Sequence, residues 1–326
     1  MKRLIGCFFT ALAAAFLATA PAHAQERVRI GFPVQIHTAN MLLMQEYAKK
    51  QGVDLETIVM RGYPAIQLAL ITNELDAAVL GYVNVGLMEE KEFKNHKIVA
   101  GVFAGGQSLT LRKGVTANSW KDLEGKVLGT APNSYAELLF KVSARLGGAD
   151  VSKIKTISFA PPGGPPLQAA LRAGDIDGFV FWEPNNANAA LAGDGYYSSL
   201  DIGDNPTRHI NGALAVNADF ALKKRSAVLA VVRALVEATD ALNANPGRYA
   251  EVAQKGTGST PEVVKESIPR GRLDYKLYQK ESKALLKIIH EAGITKIDTS
   301  AAVDRVFDYS FLMQVTGKSR RELGGE

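Results

Sequence analysis

The chain holds a single cysteine, Cys7, among 326 residues. Everything after residue 7 is therefore without a thiol, which excludes disulfides, cysteine-ligated metals and a cysteine nucleophile from the body of the protein. Long apolar runs are missing as well. Beyond the first 20 residues no stretch approaches the ~20 apolar residues that a membrane-crossing helix needs. Clusters of one charge are scarce: the longest Lys/Arg run is Lys223-Lys224-Arg225, which gives no electrostatic footprint for nucleic acid. No G-x-S-x-G, H-E-x-x-H or G-x-x-x-x-G-K-[ST] occurs. His37, His96, His209 and His290 show no metal-ligand spacing, so neither a metal nor a cofactor is expected.

What is present begins with a targeting signal. Lys2 and Arg3 precede an apolar run from residue 5 to 18, then Pro21 and Ala22-His23-Ala24, an A-x-A cleavage pattern. The reading is a secretory signal peptide, residues 1–24, cleaved after Ala24 and followed by a periplasmic mature chain. Cys7 stands before the apolar run rather than after it, an order that argues against lipidation. Loss of Lys2 and Arg3 takes the net charge from +5 to +3. At 47% hydrophobic and 22% charged the composition is that of a globular protein.

The mature chain repeats itself once. Residues 65–83 read AIQLALITNELDAAVLGYV and residues 166–184 read PLQAALRAGDIDGFVFWEP; Gln67/Gln168, Ala69/Ala170, Leu70/Leu171, Asp76/Asp177 and Val79/Val180 are each 101 positions apart (168 − 67). The echo extends upstream. VRIGFPVQIHTANMLL (28–43) and KVLGTAPNSYAELL (126–139) share one plan: a β-type run, a glycine (Gly31, Gly129), a loop, and a helix with Thr38 or Ser134 at its N-cap position. A second β-type run, a Pro/Gly loop, the repeated helix and a continuous apolar strand complete each copy. Each is thus β-α-β-α-β, an α/β pattern with a parallel sheet. Asp76 and Asp177, just before the buried strands, read as turn-capping residues.

Residues 105–114 and 211–219 alternate like strands where the chain must pass between lobes, which predicts two hinge crossings. From Phe220 onward the spacing is helical, with breaks at Pro246, Pro261 and Pro269, predicting a C-terminal extension packed mostly on the first lobe. The expected division is 25–108 plus 214–326 for lobe 1 and 109–213 for lobe 2.

Ligands of such sheets bind beyond the carboxyl ends of the strands, here the loops 35–38, 62–65, 81–84, 132–135, 162–165 and 182–185. Paired helix N-termini facing one cleft suit a small anion. Thr38 and Ser134 either cap their own helices or add hydroxyls to a shared site, and their matching positions favour the shared site. Gln35, His37 and Asn133 can donate to an oxyanion, although a lone histidine is commonly a surface residue. Tyr63, Tyr82, Tyr135 and Trp182 could wall an apolar pocket or belong to the core; Asn84 and Glu183 end the two repeated phrases.

The signal peptide, NSWKDLEGKVLGTAPNSYAELL (118–139), QAALRAGDIDGFVFWEP (168–184) and the helical tail together resemble the periplasmic substrate-binding proteins of ABC importers. The resemblance is to the nitrate/sulfonate/taurine type, which shares its fold with thiamine-pyrimidine-binding proteins, and it covers essentially the whole mature chain. Trp120, Asp122, Leu123, Gly125, Lys126 and Gly129 carry a segment common to many two-lobed binding proteins, and the G-D-I-D-x-x-x-x-W-E-P segment is narrower. The resemblance implies a type II-like two-lobed fold that closes on one small solute, a monomer, and an inner-membrane ABC permease as partner, with no nucleic acid. It implies sulfonate, taurine or nitrate as ligand, or alternatively a thiamine-precursor pyrimidine or aromatic acid. In the taurine-type proteins an acid in the W-D/E-P element can meet the ligand's ammonium, which falls here on Glu183, a Glu in place of Asp. An enzyme of the same fold synthesises the pyrimidine but needs a cysteine-rich motif that this chain lacks, so no enzyme is expected.

Overall fold

The computed structural model describes residues 25–132, 134–160 and 163–326; the expected signal peptide, Asn133 and Pro161-Pro162 lie outside the described residues. The strands in chain order are β1 (Glu26–Phe32), β2 (Val53–Val59), β3 (Ala77–Gly81), β4 (His96–Gly105), β5 (Gln107–Arg112), β6 (Val127–Thr130), β7 (Lys155–Ser158), β8 (Gly178–Trp182), β9 (Gly195–Tyr197), β10 (Ile210–Asn217) and β11 (Gly271–Leu273). They form two sheets, ordered β11-β4-β10-β3-β1-β2 and β7-β6-β8-β5-β9. Each holds a parallel triplet, β2-β1-β3 or β7-β6-β8, to which one antiparallel strand is added beside β3 (β10) or β8 (β5).

The repeated phrase makes the same structure twice. In the first copy α1 (Ala39–Lys50), α2 (Tyr63–Ile71) and α3 (Tyr82–Glu90) follow β1, β2 and β3; in the second α4 (Tyr135–Leu146), α5 (Gly164–Ala173) and α6 (Asn185–Leu191) follow β6, β7 and β8. Both repeated helices start from a glycine at positive φ, Gly62 (78°) and Gly163 (87°), with a proline two residues later, where the missing N–H costs nothing. Both end near a left-handed residue at matching positions, Asn73 and Gly174. The strands that follow, β3 and β8, are buried along their whole length, as continuous apolar runs require.

Gly31 and Gly129 lie inside β1 and β6 rather than after them. A Cβ on Gly31 would stand 2.4 Å from Leu75, and one on Gly129 would crowd Leu167 and Ile176. Leu75 and Ile176 are themselves repeat partners, so each glycine lets the residue before the repeated aspartate pack down onto the sheet. The aspartates clasp strands. Asp76 accepts from the Arg29 backbone N–H (2.9 Å) and from its guanidinium, and Asp177 accepts from the Val127 N–H (3.0 Å) and from Arg112.

The first sheet passes into the second through Gly105 and Gly106, at φ 74° and 83°. On the way back Arg208 and His209 both take positive φ, an uncommon pair of non-glycine residues in that region. The two crossings are tied to each other: Asn211 Nδ2 donates to the Gly105 carbonyl (2.9 Å) and to Gln107 Oε1 (2.7 Å), and the Gly105 N–H donates to the His209 carbonyl (2.8 Å). A third segment joins them, because the Gly106 N–H donates to the Arg270 carbonyl (2.8 Å) and β11 pairs with β4.

After β10 the chain is mostly helical: α7 (Ala218–Lys223), α8 (Arg225–Ala244), α9 (Pro246–Thr257), α10 (Pro261–Ser267), α11 (Gln279–Glu291), α12 (Ala302–Val306) and α13 (Ser310–Thr316). α8 lies along α1 and α11 against α3, whereas α10 reaches α6 in the second lobe. No helix among the described residues is long and apolar enough to cross a membrane.

Candidate functional site

A cavity of about 880 Å³ lies between the lobes, beyond the carboxyl ends of β1, β2, β3, β6 and β8. Its wall is mainly apolar: Val34, Val59, Met60, Leu68, Ile71 and Leu87 come from the first lobe, and the aromatic rings Tyr63, Tyr135 and Trp182 come from both. Tyr63 and Trp182 meet edge to face across the lobes, ring centroids 6.4 Å apart. The helices α2 and α3 of the first lobe and α4 and α6 of the second all begin at this wall, so two helix N-termini from each lobe border the cavity.

Of the residues expected at the site, Gln35, Tyr63, Asn84, Ser134, Tyr135, Trp182 and Glu183 line the cavity, and Asn133 lies outside the described residues. Three others are turned elsewhere. Thr38 is fully buried; its hydroxyl donates to the Pro33 carbonyl (2.9 Å) and accepts from the Gln35 N–H (2.9 Å), because the chain makes a tight 3-10 turn over Ile36–Thr38 before α1. His37 packs over Gly106 and Gly271 at the crossing, its Nε2 3.2 Å from the Ile268 carbonyl; burial pulls its pKa down to about 4 and keeps the ring neutral. The Tyr82 hydroxyl lies 3.4 Å from the Lys276 carbonyl, and burial raises its pKa.

The polar groups that do line the cavity differ in what remains available to a ligand. Ser134 caps its own helix by accepting from the Glu137 N–H (3.2 Å). Asn84 accepts from the Gly81 N–H (3.1 Å) and donates to Gln67 Oε1 (2.7 Å). Tyr135 is wholly buried, and among the described residues its hydroxyl makes a single long contact, 3.5 Å to Thr207 Oγ1. The Tyr63 hydroxyl and Trp182 Nε1 are buried without any hydrogen-bond partner among the described residues, a costly state for a buried donor.

Glu183 is used within the protein. Its Oε1 accepts from the Tyr197 hydroxyl (2.8 Å), and its Oε2 accepts from the Ala187 N–H (3.1 Å) and from the Ser267 hydroxyl (3.0 Å). Its own N–H donates to the Gly106 carbonyl (2.8 Å), and the Arg270 guanidinium lies 3.7 Å over the Tyr197 ring. The side chain therefore joins the second lobe to the C-terminal extension at the crossing. Burial pushes its pKa from 4.5 up to about 7, against the pull of these three donors and of Arg270. The ammonium contact implied by the resemblance finds both oxygens of Glu183 already engaged.

Sequence reasoning missed Asn185, Gln67, Arg61 and Lys91, all of which line the cavity. Asn185 is the repeat partner of Asn84, and Gln67 of Gln168. Asn84 binds Gln67, while the Asn185 carbonyl accepts from Gln168 (3.0 Å) and its Oδ1 accepts from the Gly164 N–H (2.9 Å). The 101-residue spacing was the signal for these pairs.

A family model fits residues 21–255, described as the NMT1-like family. The chain belongs to the NMT1-like family. Among solved structures this NMT1-like chain resembles the periplasmic nitrate-binding protein NrtA from Synechocystis PCC 6803, with a TM-score of 0.77 at 16% identity over 89% of this chain and 88% of that one. It also resembles the ligand-binding component of an ABC-type import system from Staphylococcus aureus with zinc bound (TM-score 0.76, 16% identity, 91% and 100% covered). A third is the alkanesulfonate-binding protein SsuA from Xanthomonas axonopodis pv. citri bound to MOPS (TM-score 0.73, 16% identity, 88% and 100% covered). At these identities the likeness establishes the fold, that of periplasmic binding proteins. None of the curated proteins compared gives a significant match. No group of three or more His, Cys, Asp or Glu residues that could hold a metal occurs among the described residues.

Proposed function

We propose that this NMT1-like protein is an extracytoplasmic solute-binding protein of an ABC importer, a periplasmic monomer that captures a small anion between two lobes and delivers it to a membrane permease. The observation that carries this reading is the interlobe cavity, whose wall combines loops of both repeat copies. A solute touching both walls favours whichever arrangement brings them together. The glycine pair 105–106 offers the backbone freedom such a motion needs. The names of the similar structures, a nitrate binder and an alkanesulfonate binder, support an anionic solute. In this reading the lobes divide at the two crossings, with β5 (Gln107–Arg112) in the second lobe and β10 (Ile210–Asn217) in the first, rather than at 108/109 and 213/214, and residues 1–24 are the export signal.

The test is small-angle scattering of the protein with solutes that raise its melting temperature. Compaction on binding is expected; a stabilising solute that leaves the radius of gyration unchanged refutes the clamp. An enzyme is distinguished by turnover of any solute so found, and none is expected.

A further inference from the structure

We propose that Glu183 is a proton-operated latch between the lobes: protonated, it holds the second lobe against the C-terminal extension, and ionised, it lets that contact part. This rests on the lobe movement proposed above and on no particular solute.

The contact is built from both sides. On one side α10 is fixed to the first lobe, because Val264 packs in a common cluster with Ile36 and Ala39. Three residues on, Ser267 is fully buried and donates its hydroxyl to Glu183 Oε2 (3.0 Å). On the other side Glu183 follows β8, and its remaining donors, the Tyr197 hydroxyl (2.8 Å) and the Ala187 N–H (3.1 Å), belong to the second lobe. A second bridge lies beside the first: the Arg270 guanidinium of the extension sits 3.7 Å over the Tyr197 ring. The patch adjoins the Gly105-Gly106 crossing, since the Glu183 N–H donates to the Gly106 carbonyl and the Gly106 N–H to that of Arg270. Rotation of the lobes about this crossing acts directly on the contact.

The carboxyl is only 1% exposed. Among the described residues the titratable groups that face it are Tyr197, whose phenol burial keeps protonated, and Arg270, which is exposed and already paired with Glu266 (2.6 Å). His37 packs on the same crossing and is neutral. Burial outweighs the three donors and Arg270, so the pKa of Glu183 stands at about 7 instead of 4.5. The protonated acid fits the same place, because the Ser267 and Tyr197 hydroxyls accept as well as donate and either can turn to receive the new O–H. Parting from Ser267 would admit water and return the carboxyl towards its ordinary range. The joined arrangement therefore binds this proton more tightly; acid favours it, and the preference fades as pH climbs to 7. For a side chain that returns fully to 4.5, the balance between joined and parted shifts by up to about 70-fold from pH 5 to pH 8.

Small-angle scattering of the purified protein without added solute, from pH 5 to pH 8.5, tests the latch. The radius of gyration is expected to rise with pH. Glu183→Gln keeps the shape and removes the charge, and should stay at the compact value throughout. Tyr197→Phe keeps the ring under Arg270 but takes one donor from the ionised carboxyl, so its rise should exceed the parent's. A radius that is constant or falls with pH overturns the proposal, as does an equal rise in Glu183→Gln or a rise in Tyr197→Phe no larger than the parent's. The latch and the clamp fail separately. A stabilising solute that compacts a protein indifferent to pH removes the latch and keeps the clamp; a pH response abolished by Glu183→Gln, with no compaction by stabilising solutes, does the reverse.

Discussion

At the start of its repeated helix the first copy carries Tyr63 where the second has Gly164, and at the end of the following strand the second carries Trp182 where the first has Gly81. One aromatic ring per copy is thus placed at different corners of the same framework, and the two rings meet across the cleft. The next position differs in a second way. Tyr82 and Glu183 are repeat partners, and both reach the C-terminal extension, at Lys276 and Ser267, but the first does so with a neutral phenol and the second with a buried carboxyl. What the copies share (Gly62/Gly163, Gln67/Gln168, Asp76/Asp177, Asn84/Asn185) builds the framework. Where they diverge, one copy supplies what the other leaves vacant.

The sharpest way to separate the copies is by pH. Glu183 has its pKa raised from 4.5 to about 7 in the fold, so the folded protein holds this proton more tightly than the unfolded chain does. Stability from this group is full below pH 4.5 and is lost as the pH climbs to 7, a change of about 3 kcal/mol at 1.36 kcal/mol per pKa unit. His37 and His96, both lowered to about 4, act in the opposite sense: they favour the fold more as pH rises from 4 to 6.5. The difference between Glu183→Gln and the parent isolates the carboxyl. Urea unfolding from pH 4.5 to 8 should show the variant gaining up to about 3 kcal/mol relative to the parent as pH rises; a constant difference would mean that the carboxyl does not titrate in this window.

Next in size are the clasps. Asp76→Ala and Asp177→Ala each leave a strand N–H and an arginine without their acceptor, and each should lower unfolding free energy by about 2 kcal/mol. Unequal losses, beyond about 1 kcal/mol, would show that the clasp matters to one lobe only. The glutamines should separate the copies by a smaller margin. Gln67→Ala strands the buried Asn84 amide and is expected to cost about 1–2 kcal/mol, whereas Gln168→Ala, half-buried, loses a single bond and should cost less than about 1 kcal/mol. Tyr82→Phe gives the smallest change, under about 1 kcal/mol, and the same at pH 5 and pH 8 when followed by thermal melting.

The parallel triplets, the crossings and the helical tail were legible in the sequence because each rests on local signals: apolar runs, glycine-proline starts and fixed spacing. The residues Tyr63, Asn84 and Trp182, which line the candidate site, could be expected there from the loops that the repeat marks out. The site was not legible where distant residues decide a side chain's direction. His37 is drawn to Ile268 and Gly106, and Glu183 to Ser267, across separations of 231 and 84 positions for the bonded pairs, and no local pattern announces such partners. Thr38 and Ser134 show the same limit at short range. Both stand before a helix, yet a 3-10 turn folds the Thr38 hydroxyl back onto Pro33 while Ser134 caps α4. Asn185, by contrast, could have been found by adding 101 to Asn84.

The place of β10 sets the order in which the halves can be finished. It enters the first sheet between β3 and β4, although it follows every strand of the second sheet in the chain. A polypeptide made from its N-terminus therefore has all five strands of the second lobe in hand by residue 197, while the first lobe still lacks its central strand until residue 217 and its edge strand until residue 273. The half that begins first is completed last, and until then β3 and β4 wait without the neighbour that will lie between them.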